Sequence, residues 1–323
     1  MKLRGIPFGS VFNASGACNF FLEDPWWYSR WYQNIVGRSM WDGATFVAKT
    51  TTYTPREGNM PLTPGTVTPV EFKPRCIYIN LFGGYALNSV GLSGPGAEWL
   101  LKRGYWQNYT EPFVISFMSV QKTTEQRLIE LCEFATLLAN HLPRFIAPVA
   151  LEINFSCPNV GLDPTMLVGE ISQALAQVAG ILRSVPRIVK LSIEVPPETM
   201  AQICTDPNLD ALDLSNTIPF GKLPYTIDWG RLFLYGTSPL KQLGGGGLSG
   251  APLLKPVCRW ISTLRRDFGV TIPIIGGGGI LSVSDARKVI TAGASALSLG
   301  TVAMLRPWRV PAIITAANAH FAQ

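Results

Sequence analysis

Short apolar runs alternate with helix-patterned stretches from about residue 45 to the end of the chain, and this alternation most limits the possible folds. Strands are expected at 46–52, 113–120, 149–155, 187–193, 209–214, 272–275 and 296–299. Helices are expected at 123–140, 166–183, 197–204, 253–268, 284–292 and 307–319. The first of these helices opens on Thr123-Thr124-Glu125-Gln126, a capping pattern, and then carries Leu, Ile and Phe at helical spacing. Strand and helix in turn call for a parallel sheet. Seven or eight such units in 323 residues favour a closed (β/α)8 barrel over an open doubly wound sheet. The carboxyl ends of barrel strands converge on one mouth, where active sites lie. Here those ends carry Lys49, the 154–159 loop, Lys190, Asn216-Thr217, the 276–279 glycines and Gly300-Thr301. Residues 219–249, with Pro219, Pro224, Pro239 and the 244–247 glycine run, read as an insertion at the mouth. No composition shift marks a second domain, so residues 1–323 are expected to form one α/β domain.

Composition narrows the class. Hydrophobic residues at 47% and charged residues at 15% exclude a disordered chain and a coiled coil. The net charge of +6 is spread out, with no basic run that would mark a nucleic-acid or lipid patch. No uncharged apolar stretch reaches the roughly 18 residues of a membrane span. The start, Met1 to Pro7, does not read as a signal peptide, so a cytoplasmic location is expected. The six cysteines include no CxxC pair, which argues against a zinc or iron–sulfur site and for buried thiols in a reducing compartment.

Two glycine-rich turns follow late strands: Pro273-Ile274-Ile275-Gly276-Gly277-Gly278-Gly279-Ile280 and Ser298-Leu299-Gly300-Thr301. Glycines let backbone N–H groups approach an anion, and the loops after the last two barrel strands are a common phosphate site. A single Gly run would read as a tight turn, but two at these positions favour phosphate. No GxGxxG follows an early strand, which disfavours a dinucleotide fold. The segment Glu152-Ile153-Asn154-Phe155-Ser156-Cys157-Pro158-Asn159-Val160 carries a strand into a polar turn that presents Cys157. A free cysteine is ordinarily a small buried thiol. On a loop near cations and a cofactor it can lose its proton and act as a base or nucleophile. A cysteine protease needs a histidine partner, and only His141 and His320 are present, neither well placed.

The ordered set of motifs resembles the dihydroorotate dehydrogenases, flavin enzymes on the (β/α)8 barrel, and especially the soluble class with a cysteine base. Asn154-Phe155-Ser156-Cys157-Pro158-Asn159 is similar to that class's signature loop. Asn13-Ala14-Ser15-Gly16 resembles the first flavin-contacting strand. Ala48-Lys49-Thr50-Thr51-Thr52 with Arg56-Glu57-Gly58-Asn59 resembles the lysine strand. Leu87-Asn88-Ser89-Val90-Gly91-Leu92 resembles the substrate loop. Val189-Lys190-Leu191, Ser215-Asn216-Thr217, Gly246-Gly247-Leu248-Ser249-Gly250, the 276–279 turn and Gly300-Thr301 follow in family order.

The resemblance implies one FMN, an oxidoreductase acting on a CH–CH group, and a place in pyrimidine biosynthesis. It implies that Gly278, Gly279, Gly300 and Thr301 hold the phosphate. Ala14, Ser15, Thr50, Asn154, Ser215, Ser249 and Gly250 would contact the rest of the flavin, and Lys190 would lie near its N1/O2 edge. Lys49 would bridge flavin and substrate. Cys157 would take the C5 proton of dihydroorotate while hydride leaves C6 for flavin N5. Asn88, Val90, Gly91, Leu92, Asn154, Asn159, Asn216 and Thr217 would bind the ring and carboxylate, amides being suited because each offers a donor and an acceptor. A lysine inside an apolar strand needs a partner rather than solvent, which favours function for Lys49 and Lys190. No metal is expected.

The pattern departs in two places. Gly94 stands where the family usually has a substrate-binding Asn, and Gly161-Leu162-Asp163-Pro164 differs from the usual lid. One lost amide contact costs on the order of 1 kcal/mol. Another dihydropyrimidine or cyclic amide is therefore an alternative substrate, and a non-catalytic flavin-binding subunit is a further alternative. The aromatic stretch 20–32 reads first as packing or an interface, second as a flavin cover or acceptor dock. Fumarate, or NAD through a separate iron–sulfur subunit, is the expected electron acceptor. With the barrel motif starting at Asn13, a quinone-binding extension is not expected. A homodimer is expected from the family.

Overall fold

The computed structural model describes residues 1–22, 27–155, 164–214 and 216–322. Seven parallel strands lie in the order Val11–Asn13, Ala296–Leu299, Ile274–Gly277, Ala211–Leu214, Arg187–Leu191, Val149–Asn154, Phe113–Phe117. The gap between the two ends of this row is filled by the 45–51 stretch. It bridges Phe12 through Thr45 on one side, and Val114 and Phe117 through Val47 and Thr51 on the other, all parallel. The sheet is thereby a closed (β/α)8 barrel. The expected 46–52 strand is present as these isolated bridges rather than a continuous ladder. Asn13 explains part of this: its side chain takes over the rungs, Nδ2 donating to the Val47 carbonyl at 2.7 Å and Oδ1 accepting from the Val47 N–H at 2.8 Å.

Side chains alternate between the two faces of a strand. Ile115, Leu151, Val189, Leu212, Ile274 and Leu297 belong to the large core shared with the helices. Phe12, Val47, Val114, Ala150, Ile188, Ala211, Ile275 and Ala296, one from each stave, form a separate cluster that fills the barrel interior. Leu3 and Phe8 complete it from an N-terminal hairpin in which Lys2 pairs with Pro7. Two residues further along their strands lie Ser116, Glu152, Lys190, Asp213 and Ser298, all buried. The interior is therefore apolar at its floor and polar one layer higher.

The helix Thr124–His141 begins where the Thr123 hydroxyl accepts from the Gln126 N–H at 3.2 Å, so the capping pattern does what it implied. Ser282 caps the helix Val283–Thr291 in the same way. Four short antiparallel strands, in the order Ile218–Pro219, Gly247–Gly250, Tyr85–Asn88, Ile77–Asn80, form a second sheet beyond the end of strand Ala211–Leu214. Both ends of the 219–249 stretch are tied into it. Phe233 packs on Tyr78, Tyr85, Phe220 and Trp229 beneath it. Among the described residues no helix is long and apolar enough to cross a membrane.

Candidate functional site

The strand Arg187–Leu191 places Lys190 inside the barrel, one register step from Asn154 on one side and Asp213 on the other. Its ammonium lies 3.1 Å from Asp213 Oδ2 and 3.7 Å from Glu152 Oε1. Burial alone would lower the lysine pKa, but the charges of Asp213 and Glu152 and the hydrogen bonds to them together hold it above the usual lysine range. Glu152 Oε1 also accepts from the Ser116 hydroxyl at 2.6 Å. Ser116 Oγ lies 2.9 Å from Thr50 Oγ1, which lies 2.8 Å from Ser15 Oγ. A hydrogen-bonded file thus runs from Ser15 through the interior to Glu152, and Lys190 extends it to Asp213.

Lys49 is held differently. Its ammonium donates to the Ser93 carbonyl and lies 4.6 Å from the centroid of the Phe20 ring. Among the described residues no carboxylate pairs with it. Burial pulls its pKa down to about 7, weakly opposed by the charge of Cys76. Phe20 also decides what position 94 can be. A Cβ built on Gly94 would lie 2.8 Å from Phe20 Cζ, so the buried ring fills the space a side chain would need. Phe20 and Phe21 are core residues, and the Trp106 indole donates to the Phe20 carbonyl at 2.8 Å. That is the packing role for this end of the aromatic stretch. Farther on, Trp31, Ile35 and Val36 are exposed on the helix Trp27–Val36.

The 88–92 loop is braced from the 56–60 segment. Asn59 Nδ2 donates to the Ser89 carbonyl at 2.7 Å, the Asn59 N–H to Val90 at 2.8 Å, and Arg56 Nε to Gly91 at 2.7 Å. Gly91 and Leu92 both have positive φ, 72° and 59°. Asn88 pairs with Gly247 in the antiparallel sheet and makes no hydrogen bond to Lys49 among the described residues.

At the strand ends, Asn216 Nδ2 donates to Asn154 Oδ1 at 3.2 Å, and Asn216 Oδ1 accepts from the Thr217 N–H at 2.8 Å. The two glycine turns emerge side by side, since Gly277 and Ser298 are register partners. Gly278 and Gly279 have φ of 98° and 80°. A Cβ on Gly279 would come within 2.6 Å of the Leu254 nitrogen and 2.9 Å of the Gly250 carbonyl, and one on Gly300 within 3.0 Å of Ala14 Cβ. Among the described residues the N–H groups of Gly278, Gly279 and Gly300 donate no hydrogen bond. Unused N–H groups on a left-handed glycine turn are a donor set that fits a phosphate. Ser249 donates weakly to Ala86 at 3.5 Å, and Thr301 opens the helix Thr301–Leu305.

Several expected residues therefore meet directly: Ser15 with Thr50, Asn154 with Asn216, Ala14 with Gly300, and Gly250 with Gly279. Cys157, Asn159 and Ser215 lie outside the described residues, as do residues 161–163 of the 161–164 lid. Glu152, Asp213 and Ser116 are residues that motif reading missed, and although Phe20 belongs to the aromatic stretch 20–32, its place against Gly94 was missed as well. The first three stand two positions after Ala150, Ala211 and Val114, so alternation along the strands would have found them. Phe20 carries no such signal. Among the described residues no group of three or more His, Cys, Asp or Glu could hold a metal ion.

The family model described as dihydroorotate dehydrogenase matches residues 40–319. The catalytic subunit of a dihydroorotate dehydrogenase B (NAD(+)) from Cutibacterium acnes is 30% identical over 309 residues, which is 94% of this chain and 86% of that protein. A protein of Aquifex aeolicus, whose name includes dihydroorotate dehydrogenase A (fumarate), is 34% identical over 229 residues, 68% of each chain. In structure, the dihydroorotate dehydrogenase of Eimeria tenella solved with ferulenol superposes with a TM-score of 0.67 at 19% identity, covering 97% of this chain and 82% of that one, and supports the barrel fold.

Proposed function

Because the chain belongs to the dihydroorotate dehydrogenase family, we propose that it is an FMN-dependent oxidoreductase that converts (S)-dihydroorotate to orotate. Carrying this reading is the joined pair of strand-end amides, Asn154 and Asn216, one register step from buried Lys190. FMN bound here would supply the hydride acceptor for the substrate's C6. Gly278, Gly279, Gly300 and Thr301 would hold its phosphate through backbone N–H groups. Ala14, Ser15, Thr50, Asn154, Ser215, Ser249 and Gly250 would line the remainder, and Lys190 would keep a fixed cation beside it. Cys157 would remove the C5 proton. Lys49 would face the substrate carboxylate. Asn88, Asn154, Asn159, Asn216 and Thr217 would orient the ring, and Val90, Gly91 and Leu92 would bound the loop over it. In this reading residues 1–323 act as one FMN-binding barrel domain with 219–249 as the mouth insertion, in a cytoplasmic homodimer. The electron acceptor is fumarate, or NAD through a separate iron–sulfur subunit; fumarate and NAD(+) each appear in the name of a relative.

Anaerobic mixing of the FMN-loaded protein with dihydroorotate is expected to bleach the flavin absorbance. No bleaching at saturating substrate would remove dihydroorotate. Cys157→Ser should lower the rate of bleaching by ~100-fold or more at neutral pH, the usual loss for a missing general base, with partial recovery at higher pH. A second reading keeps the chemistry but takes a related dihydropyrimidine or cyclic amide. The ring of Phe20 against Gly94 favours it, because no amide fits there. Bleaching by such a compound, but not by dihydroorotate, selects that reading.

A further inference from the structure

Among the described residues of the polar layer, two carboxyls, Glu152 and Asp213, face the one ammonium of Lys190. Glu152, Lys190 and Asp213 are 3%, 5% and 3% exposed. Both carboxyls converge on the one ammonium, at 3.7 and 3.1 Å. Glu152 Oε1 has a second donor in Ser116. Asp213 Oδ1 is buried and has no hydrogen-bond partner among the described residues. An ionised carboxylate oxygen left so is costly, and two neighbouring buried carboxylates facing a single cation lower that cost by retaining one proton.

Among the described residues no other charge on the surrounding strands removes the surplus. Strand Phe113–Phe117 offers the Ser116 hydroxyl, and strand Ile274–Gly277 sets Ile275 beside Asp213. Strand Ala296–Leu299 offers Ser298 and strand Val11–Asn13 offers Asn13. The 45–51 stretch offers Thr50 behind Ser116, while its Lys49 is turned to Ser93 and Phe20. Arg187 lies at the other end of its strand, with its guanidinium on the carbonyls of Leu182, Val185 and Asn208 and near Asp210.

We propose that Asp213 is a positioning residue whose carboxyl, with one oxygen left unpartnered beside Glu152 and Lys190, retains a proton and keeps that ammonium fixed in the polar layer below the mouth. Burial first, and then the charge of Glu152, push the Asp213 carboxyl up to about 7, with Lys190 opposing. The proton on Asp213 offsets the surplus carboxylate beside the single ammonium when the mouth is empty of charge. Negative charge brought up beside Lys190 strengthens the hold on that proton, so the cluster stays protonated to higher pH. This last consequence rests on the flavin reading; the proton on Asp213 does not.

Infrared difference spectra of the full-length protein between pH 5 and 9 test the proposal. A protonated-carboxyl C=O band that titrates in the neutral range is expected in the wild type. It should be lost in Asp213→Asn and again in Glu152→Gln, since either change leaves one carboxylate for one ammonium. A wild type without the band, or a band that persists in both variants, overturns the proposal. If either variant fails to fold, the other variant and the wild-type titration still decide the matter. With FMN bound, the band's midpoint should move to higher pH on reduction of the flavin. An unmoved midpoint with the band intact would count against the flavin's place beside Lys190 and leave the proton on Asp213 standing.

Discussion

Lys49 and Lys190 are both buried lysines at one barrel mouth, yet their surroundings drive their proton affinities in opposite directions. Lys190 has two carboxylates within salt-bridge reach, so its charge is compensated and its pKa rises. Lys49 has a carbonyl and an aromatic face, which compensate a charge only in part, so burial wins and its pKa falls to about 7. Between about 7 and the ordinary lysine value of 10.5 the folded chain binds fewer protons here than the unfolded chain. Stability from this site is therefore complete above 10.5, and is lost as pH falls through 7. Lys49→Met removes that cost. The difference in Tm between Lys49→Met and the wild type should be largest below pH 7 and shrink steadily toward pH 10. A difference independent of pH would mean that the lysine is not charged at a cost in the folded state. A charged amine already paying for burial is also the group that gains most when an anion reaches it, which suits Lys49 to a carboxylate-bearing substrate.

The glycine turn between strand Ile274–Gly277 and the helix Val283–Thr291 shows what an element demands of its residues. Gly279 combines a φ of 80° with a close approach to Leu254. Gly269 has a φ of 63° with open space around it. Gly269→Ala should cost about 1 kcal/mol, from backbone strain alone. Gly279→Ala should cost more, ~2 kcal/mol or above, because the 250–254 segment must also shift. It should weaken FMN binding in a fluorescence titration, whereas Gly269→Ala should not. Equal effects would separate the turn from the cofactor. The same contrast explains what could be read in advance. Strands such as Val149–Asn154 and Ala296–Leu299 are buried on both faces and mostly apolar, and helices such as Thr124–His141 have caps, so both were visible as patterns. The 45–51 stave was only partly visible, because the Asn13 side chain replaces ladder bonds that propensity would assign to the backbone. The antiparallel sheet was not visible. Its strands are short, two are rich in Gly and Pro, and their pairing joins segments some 160 residues apart, such as Ala86 with Ser249. In the candidate site, motif order singled out Asn154, Lys190 and the glycines, which lie at the ends of neighbouring barrel strands, but nothing in a motif says that Phe20 folds back against Gly94.

Across the whole molecule the barrel interior is divided along its axis, and the division separates stability from chemistry. The floor layer is apolar and sealed by the N-terminal hairpin, where the Phe8 N–H donates to the Met1 carbonyl at 2.9 Å and the amino terminus to the Phe8 carbonyl at 3.1 Å. The layer above carries Glu152, Lys190 and Asp213, and strand ends such as Asn154 lie higher still. A cavity opened in the floor removes packing from Phe12, Val47 and their neighbours without touching a polar group of the site. Phe8→Ala should therefore destabilise the chain by about 3–5 kcal/mol, the usual cost of emptying a buried aromatic position. It should leave flavin affinity and the rate of flavin bleaching within about twofold of the wild type at temperatures where the variant is folded. Phe82→Ala, on the exposed turn of the antiparallel sheet, serves as the control and should leave Tm unchanged. Were Phe8→Ala to change the bleaching rate tenfold while still folded, the floor and the polar layer would be mechanically coupled. The eight-residue cluster would then set the position of the Lys190 strand as well as its stability.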